Sequence, residues 1–216
     1  REFDITLYVL RKLCEKFGTL GWYRAQDTAV KIKHKKIEAV LKKELADILD
    51  KYRKIKYEKK ICPSDKRIWT LWWEGQELAP ELIKLCFASM RKNKAEYALT
   101  IIDRNNYGDY IELPEHIIDK VKSGKITITH LSDIIRMALL EKYGGIWLDA
   151  AVMLLDRADD SWEEYPYFTA KQKAQKSHIV SQSRWTGSFI VGENNFPFYK
   201  FMLECFCKYW ERHDEM

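Results

Sequence analysis

The run His130-Leu131-Ser132-Asp133-Ile134-Ile135-Arg136-Met137-Ala138-Leu139-Leu140-Glu141-Lys142-Tyr143-Gly144-Gly145-Ile146-Trp147-Leu148-Asp149-Ala150 sets a helical pattern, a double glycine and an apolar strand in direct succession. The spacing predicts a helix over Thr129 to Lys142, with Ile135, Leu139 and Leu140 supplying its packed side. On that helix Asp133 and Arg136 are three residues apart and share a face. Gly144-Gly145 permits a tight reversal, and Ile146-Trp147-Leu148 then leads a strand into Asp149. Two carboxylates and a guanidinium could thus converge on one small volume. A sugar diphosphate needs such a set: acceptors for hydroxyls, a fixed cation for anionic oxygens, and a carboxylate for a divalent ion. Taken alone, Asp133 and Arg136 also fit an ordinary surface pair worth a few tenths of a kcal/mol.

Outward from this run, strands and helices alternate. Arg67 to Trp73 is rich in β-branched and aromatic residues and ends at Glu74-Gly75, a strand followed by a loop. Pro80 opens a helix to about Lys92, and Tyr97 to Ile102 is a second strand ending at Asp103-Arg104-Asn105-Asn106. Pro114 begins a helix that closes near Ser123-Gly124. Trp185 to Val191 reads as a further strand, and Phe198 to Trp210 as a final helix. This order argues an α/β fold with a mostly parallel sheet flanked by helices. In such sheets ligands bind beyond the carboxyl ends of the strands, where Asp103 to Asn106 and Asp149 lie.

The N-terminal quarter is different. Phe3 to Phe17 reads as a helix broken by Gly18 to Gly21. Arg24 to Tyr57 holds neither Gly nor Pro and carries Ile37, Val40, Leu41, Leu45, Ile48, Leu49 and Tyr52 at helical spacing. Residues 31–60 contain twelve Lys or Arg and five acids, whereas the whole 216-residue chain has a net charge of only +5. A basic helical extension over residues 1–60, followed by an α/β domain over 61–216, is the expected organisation. The lysines fit either attraction to an anionic surface or a solvated outer face. No aromatic residues interleave with them as a stacking platform would need, which argues against a nucleic-acid partner.

An apolar content of 46%, with 8 Trp, 12 Tyr and 9 Phe, supports a packed core. No apolar run approaches the roughly 18–20 residues of a spanning helix, and the first residues lack the pattern of a signal peptide. Cys14, Cys62, Cys86, Cys205 and Cys207 show neither disulfide nor zinc spacing, so reduced thiols are expected. His116, His130 and His178 have no metal spacing among them. A cytoplasmic location, with the basic helices able to reach the inner face of the membrane or a protein partner, is the corresponding expectation.

Ser132-Asp133-x-x-Arg136 followed by Tyr143-Gly144-Gly145-Ile146-Trp147-Leu148-Asp149-Ala150 resembles the bacterial capsular polysaccharide synthesis proteins. These are GT-A-type (Rossmann-like) sugar transferases related to glycosyltransferase family 32 and to the glucosyltransferase domains of large clostridial toxins. The likeness continues in Lys66 to Gly75 and in Ile101 to Asn106, covering roughly residues 61–212. It implies a GT-A-like fold and transfer of a sugar, with retention, from a nucleotide-sugar donor to a glycan or lipid-linked acceptor in surface polysaccharide synthesis. It also implies that Trp69 sits by the nucleotide base and that Asp103 and Asn106 line the pocket. Ser132, Asp133 and Arg136 would contact the ribose or donor sugar, with Gly144 and Gly145 in the donor-binding motif. Asp149 would stand first in a DxD-like metal motif for Mn²⁺ or Mg²⁺.

Asp133, Arg136 and Asp149 are thereby the expected catalytic set, and Arg136 would also stabilise the departing diphosphate. Trp185, before Thr186-Gly187-Ser188, could border the acceptor site. The relatives' second acid is replaced, for the motif here reads Asp149-Ala150-Ala151; Asp156 is the candidate substitute. Relatives carry a further C-terminal segment closing over the diphosphate, expected to be absent from a chain ending at Met216. These two departures motivate an alternative: a non-catalytic protein of the same fold serving assembly or interaction.

Overall fold

The computed structural model describes residues 5–58, 66–171 and 184–215. Three helices come first: α1 (Ile5–Thr19), α2 (Tyr23–Glu44) and α3 (Ala46–Arg53). The body then runs β1 (Arg67–Leu71), α4 (Glu81–Asn93), β2 (Ala98–Ile102), α5 (Glu115–Lys122), α6 (Ile128–Tyr143), β3 (Gly145–Leu148), β4 (Tyr167–Thr169), β5 (Phe189–Gly192) and α7 (Pro197–Arg212). The expected boundary near residues 60–61, together with Cys62 and His178, lies outside the described residues. Cys14, Cys86, Cys205 and Cys207 are free thiols.

Among the described residues five strands form one sheet in the order β2-β1-β3-β5-β4. β1 pairs in parallel with β2 and β3, whereas β5 is antiparallel to both β3 and β4. Four strands therefore point one way and β5 alone is reversed, an α/β sheet with a mixed edge. The register sets Leu71 beside Ile102 and Trp69 beside Trp147. Trp72, Asp103 and Asp149 consequently emerge along one edge, the carboxyl edge of the three parallel strands.

Alternation along the strands builds two cores, because successive side chains point to opposite faces. Trp69, Leu71 and Trp147 face α5, α6 and α7 in one core. Ile68, Ile146, Leu148 and Val191 join Ile83, Phe87 and Met90 of α4 in the other. Helix α6 is nearly all enclosed, from Leu131 through Leu140 on most positions. That is why its sequence reads as strongly apolar rather than two-faced. Thr127 caps its start by accepting from the backbone of His130.

Four differences from the sequence expectations have local causes. The long N-terminal helix bends at Leu45 (φ −105°, ψ 17°), which turns Leu45 and Ile48 onto Cys205 and Phe201 of α7. Strand β1 stops at Leu71 because Trp72 enters a turn closed by Gly75 N–H to Trp72 O. The last predicted strand starts at Phe189 rather than Trp185, since Thr186 and Ser188 spend their side chains on a turn. Strand β4 was not expected: three residues are too few for a periodic signal.

Candidate active site

Arg136 lies at the centre of a cluster on the carboxyl edge because α6 and β3 are packed side by side. Its guanidinium is enclosed, its side chain 9% exposed, and its two terminal nitrogens donate to different acids. Nη1 donates to Asp133 Oδ1 at 2.7 Å and Nη2 to Asp149 Oδ1 at 2.8 Å. Trp147 Nε1 donates to the same Asp149 oxygen at 2.7 Å, and the guanidinium lies 4.9 Å from the Trp147 ring centroid. Trp147 and Asp149, two residues apart on the strand line, point to one face. Both carboxylates keep 39% of their side-chain area exposed. Each is thus held from behind through one oxygen and open in front.

The electrostatics follow from that enclosure. Burial raises the Asp133 carboxyl above the usual carboxylate range, outweighing the adjacent Arg136, and repulsion from Asp149 adds to the shift. With all three groups ionised the cluster bears one net negative charge. Arg136 Nε is buried without a partner.

A loop from the sheet's mixed edge closes the cluster. A Cβ on Gly187 would come within 2.7 Å of Arg136 Nη1. Ser188 O accepts from the Asp149 backbone N–H at 2.9 Å, and Thr169 Oγ1 bonds Thr186 O and Phe189 O at 2.8 and 2.7 Å. The Thr186-Gly187-Ser188 turn is therefore tied to β4 on one side and to Asp149 on the other.

The remaining expected residues fall into three places. Ser132 is half-buried beside Asp133 on α6. Asp103 and Asn106 share the carboxyl edge, but their polar atoms are largely used on each other's loop. Asp103 Oδ1 accepts from the Asn105 and Asn106 backbones at 2.7 and 3.1 Å, and Asn106 Oδ1 accepts from Asp103 N at 2.9 Å. Asp103 Oδ2 faces Gly75, 3.6 Å from where its Cβ would stand. Trp185 is 50% exposed, two residues from Gly187.

Trp69, Gly144 and Gly145 stand elsewhere. Trp69 is fully buried, and its indole donates to Gly144 O at 3.0 Å. Gly145 starts β3, four extended residues or roughly 13 Å from Asp149 at the opposite end. At Gly144 (φ +66°) a Cβ would lie 2.6 Å from Asn194 N, so the position needs glycine for the helix-to-strand reversal. Trp69 and Gly144, expected in donor binding, bond each other within the fold and fix β3 against α6, and Gly145 starts that strand. Arg136, expected to touch the donor, has both terminal nitrogens on aspartates.

Sequence reasoning passed over Trp147, Gly187 and Thr169. The Trp-Leu-Asp alternation could have shown Trp147 beside Asp149, whereas the contacts of Gly187 and Thr169 depend on a strand order that no local signal carries.

A divalent ion suits this chemistry in one way only. Among the described residues no three His, Cys, Asp or Glu side chains converge as ligands. Asp156 is exposed and accepts from the Arg157 backbone, and Ala151 is exposed in the turn after Asp149. Asp149 Oδ2 is left over from the Arg136 and Trp147 bonds, so the donor set fits an ion whose other ligands come from phosphate, as Mg²⁺ commonly takes.

The chain matches the family described as capsular polysaccharide synthesis protein over residues 19–216, a span that takes in α2 and α3. It is 28% identical to O-glycosyltransferase braB of Annulohypoxylon truncatum over 68% of this chain and 38% of that protein. It is 24% identical to O-glycosyltransferase PaGT of Phomopsis amygdali, over 73% of this chain and 42% of that one. Glycosyltransferase afumC of Aspergillus fumigatus is 27% identical over 77% of this chain and 45% of its own length. The chain thus spans about two fifths of the length of these curated relatives, all from fungi. No solved structure matches. With the family match running almost from end to end and through the Asp133–Arg136–Asp149 cluster, the chain belongs to the capsular polysaccharide synthesis protein family.

Proposed function

We propose that this chain carries the donor site of a glycosyltransferase of GT-A-like fold, moving a sugar from a nucleotide-sugar to an oxygen of a glycan or lipid-linked acceptor with retention. One observation carries the reading: a buried arginine holds two half-exposed aspartates at the carboxyl edge of a parallel sheet, where ligands of such sheets bind. Two relatives are named O-glycosyltransferases, which supports an oxygen acceptor.

Asp133 and Asp149 present carboxylate oxygens suited to sugar hydroxyls. Arg136 and Trp147 fix the Asp149 rotamer, so little reorientation is needed when the donor arrives. The Gly187 turn keeps water from the guanidinium, which strengthens both ion pairs. Net negative charge at the rim disfavours a bare diphosphate. Asp149, with donor phosphate oxygens, would hold Mg²⁺ or Mn²⁺, and the ion when bound would offset charge on the departing nucleoside diphosphate. Asp103 and Asn106 shape the neighbouring loop, and Trp185 offers an exposed ring for the acceptor side. Hydrolysis of UDP- and GDP-sugars with Mn²⁺, followed by mass spectrometry, tests the reading. Turnover should collapse in Asp133→Ala and Asp149→Ala, and unchanged turnover in both removes their roles.

The missing second acid at Ala151 favours a second reading, a fold retained for assembly. Calorimetric titration that finds no nucleotide-sugar binding, with or without Mn²⁺, would select it.

A further inference from the structure

Helix α1 has two apolar faces, and among the described residues only one of them is covered. Leu7, Leu10 and Cys14 are buried, and Cys14 and Phe17 pack with Ala29 and Val30 of α2. The opposite stripe, Ile5, Tyr8, Val9 and Leu13 at three- and four-residue spacing, is 80, 62, 45 and 36% exposed. Lys12 and Lys16 fall in the same stripe, with the Lys12 ammonium 6.0 Å from the Tyr8 ring. At the turn between the helices Trp22 and Tyr23 are 59 and 67% exposed. Across α1 and α2 there are ten Lys or Arg and four acids.

An apolar stripe interrupted by lysines suits a protein groove poorly, since the ammonium groups would have to be dried on docking. It suits an anionic bilayer surface, where apolar side chains enter the acyl boundary, Trp and Tyr rest at headgroup level and lysines reach the phosphates. Basic residues beside such a stripe add attraction to anionic lipid. We infer that the outer face of the α1–α2 hairpin docks this protein on an anionic membrane surface, lying in the interface rather than crossing it. No helix among the described residues is long and apolar enough to cross. This inference goes beyond the glycosyltransferase reading and does not rest on it.

The test is co-flotation of the full chain with vesicles of phosphatidylcholine alone or mixed with phosphatidylserine. Binding is expected on the mixed vesicles and not on the neutral ones, and it should fall steeply at about 0.5 M salt, where screening shortens charge attraction. Val9→Ser with Leu13→Ser should weaken partition about tenfold or more, and Lys12→Gln with Lys16→Gln should weaken it less. Because all four side chains are exposed, circular dichroism should stay unchanged. No binding to either vesicle, or equal binding by the Ser variants, overturns the inference. Self-association that Val9→Ser with Leu13→Ser abolishes, without vesicle binding, overturns it too and assigns the face to a second copy. Donor hydrolysis in vesicle-free buffer reads the active site separately and should be the same in every hairpin variant.

Discussion

At the carboxyl edge of the sheet one enclosed arginine commits both terminal nitrogens to acids, whereas on α1 Arg11, Lys12 and Glu15 stand in water and pair along their own helix. Arg136 is held at 2.7 and 2.8 Å by Asp133 and Asp149 beneath the Gly187 turn. Glu15 on α1 meets Arg11 and Lys12 at 3.2 and 3.0 Å with every partner about half exposed or more. Similar distances therefore carry different weight, because water screens the hairpin set fully and the enclosed guanidinium only in part. Charge that is buried and shared fixes geometry, and charge that is solvated keeps a surface wet or brings it to an oppositely charged one.

The sharpest way to break this contrast is to remove the enclosed cation. Arg136→Ala leaves two half-exposed acids facing each other and should cost about 3 kcal/mol of stability by urea unfolding, with donor hydrolysis lost as well. Gly187→Ala comes next. Its new methyl would meet Nη1 where Asp133 and Asp149 prevent the guanidinium from yielding, so a loss of about 1–3 kcal/mol is expected, together with reduced turnover at unchanged secondary structure. Trp147→Phe removes one bond to Asp149 and leaves a gap in the core, so a loss of about 2 kcal/mol is expected.

The pH dependence of stability sharpens the comparison further. Asp133 has its carboxyl raised in the folded state, so its contribution is fully present below the ordinary carboxylate value. That contribution is lost as pH climbs through the raised value. Asp133→Asn should lack this fall, so the unfolding midpoint of the unmodified chain minus that of the variant should decrease as pH rises across the mildly acidic range. A difference that grows in the opposite sense would contradict the burial of this acid. At the other end of the scale, Glu15→Gln on the hairpin should leave the thermal midpoint unchanged, and a clear drop would show that the hairpin's charges are not merely solvated.

Much of the site was legible because it is local. Asp133 and Arg136 share a helical face, and a double glycine followed by three strand residues delivers Asp149 beside them, so periodicity and turn chemistry suffice to bring the three together. Their division of labour was not legible. Whether Arg136 points to a ligand or to its neighbours depends on the enclosure supplied by Trp147 and Gly187. Gly187 arrives there through an antiparallel pairing of β5 with β3, and nothing in residues 184–192 announces that partner. Trp69 and Gly144 illustrate the converse. Their place in a motif suggested donor contact, yet an indole hydrogen bond to a carbonyl at the far end of β3 spends them on the frame. The bend at Leu45 was invisible for a similar reason, since only packing on α7 asks for it.

The decisive question is whether the clamped aspartates receive a nucleotide-sugar. Calorimetric titration of UDP- and GDP-sugars in Mn²⁺ buffer should show binding to the unmodified chain, and Asp149→Asn should bind the same donor at least about tenfold more weakly. Equal affinity in the two proteins would contradict the assignment of the donor to this edge of the sheet.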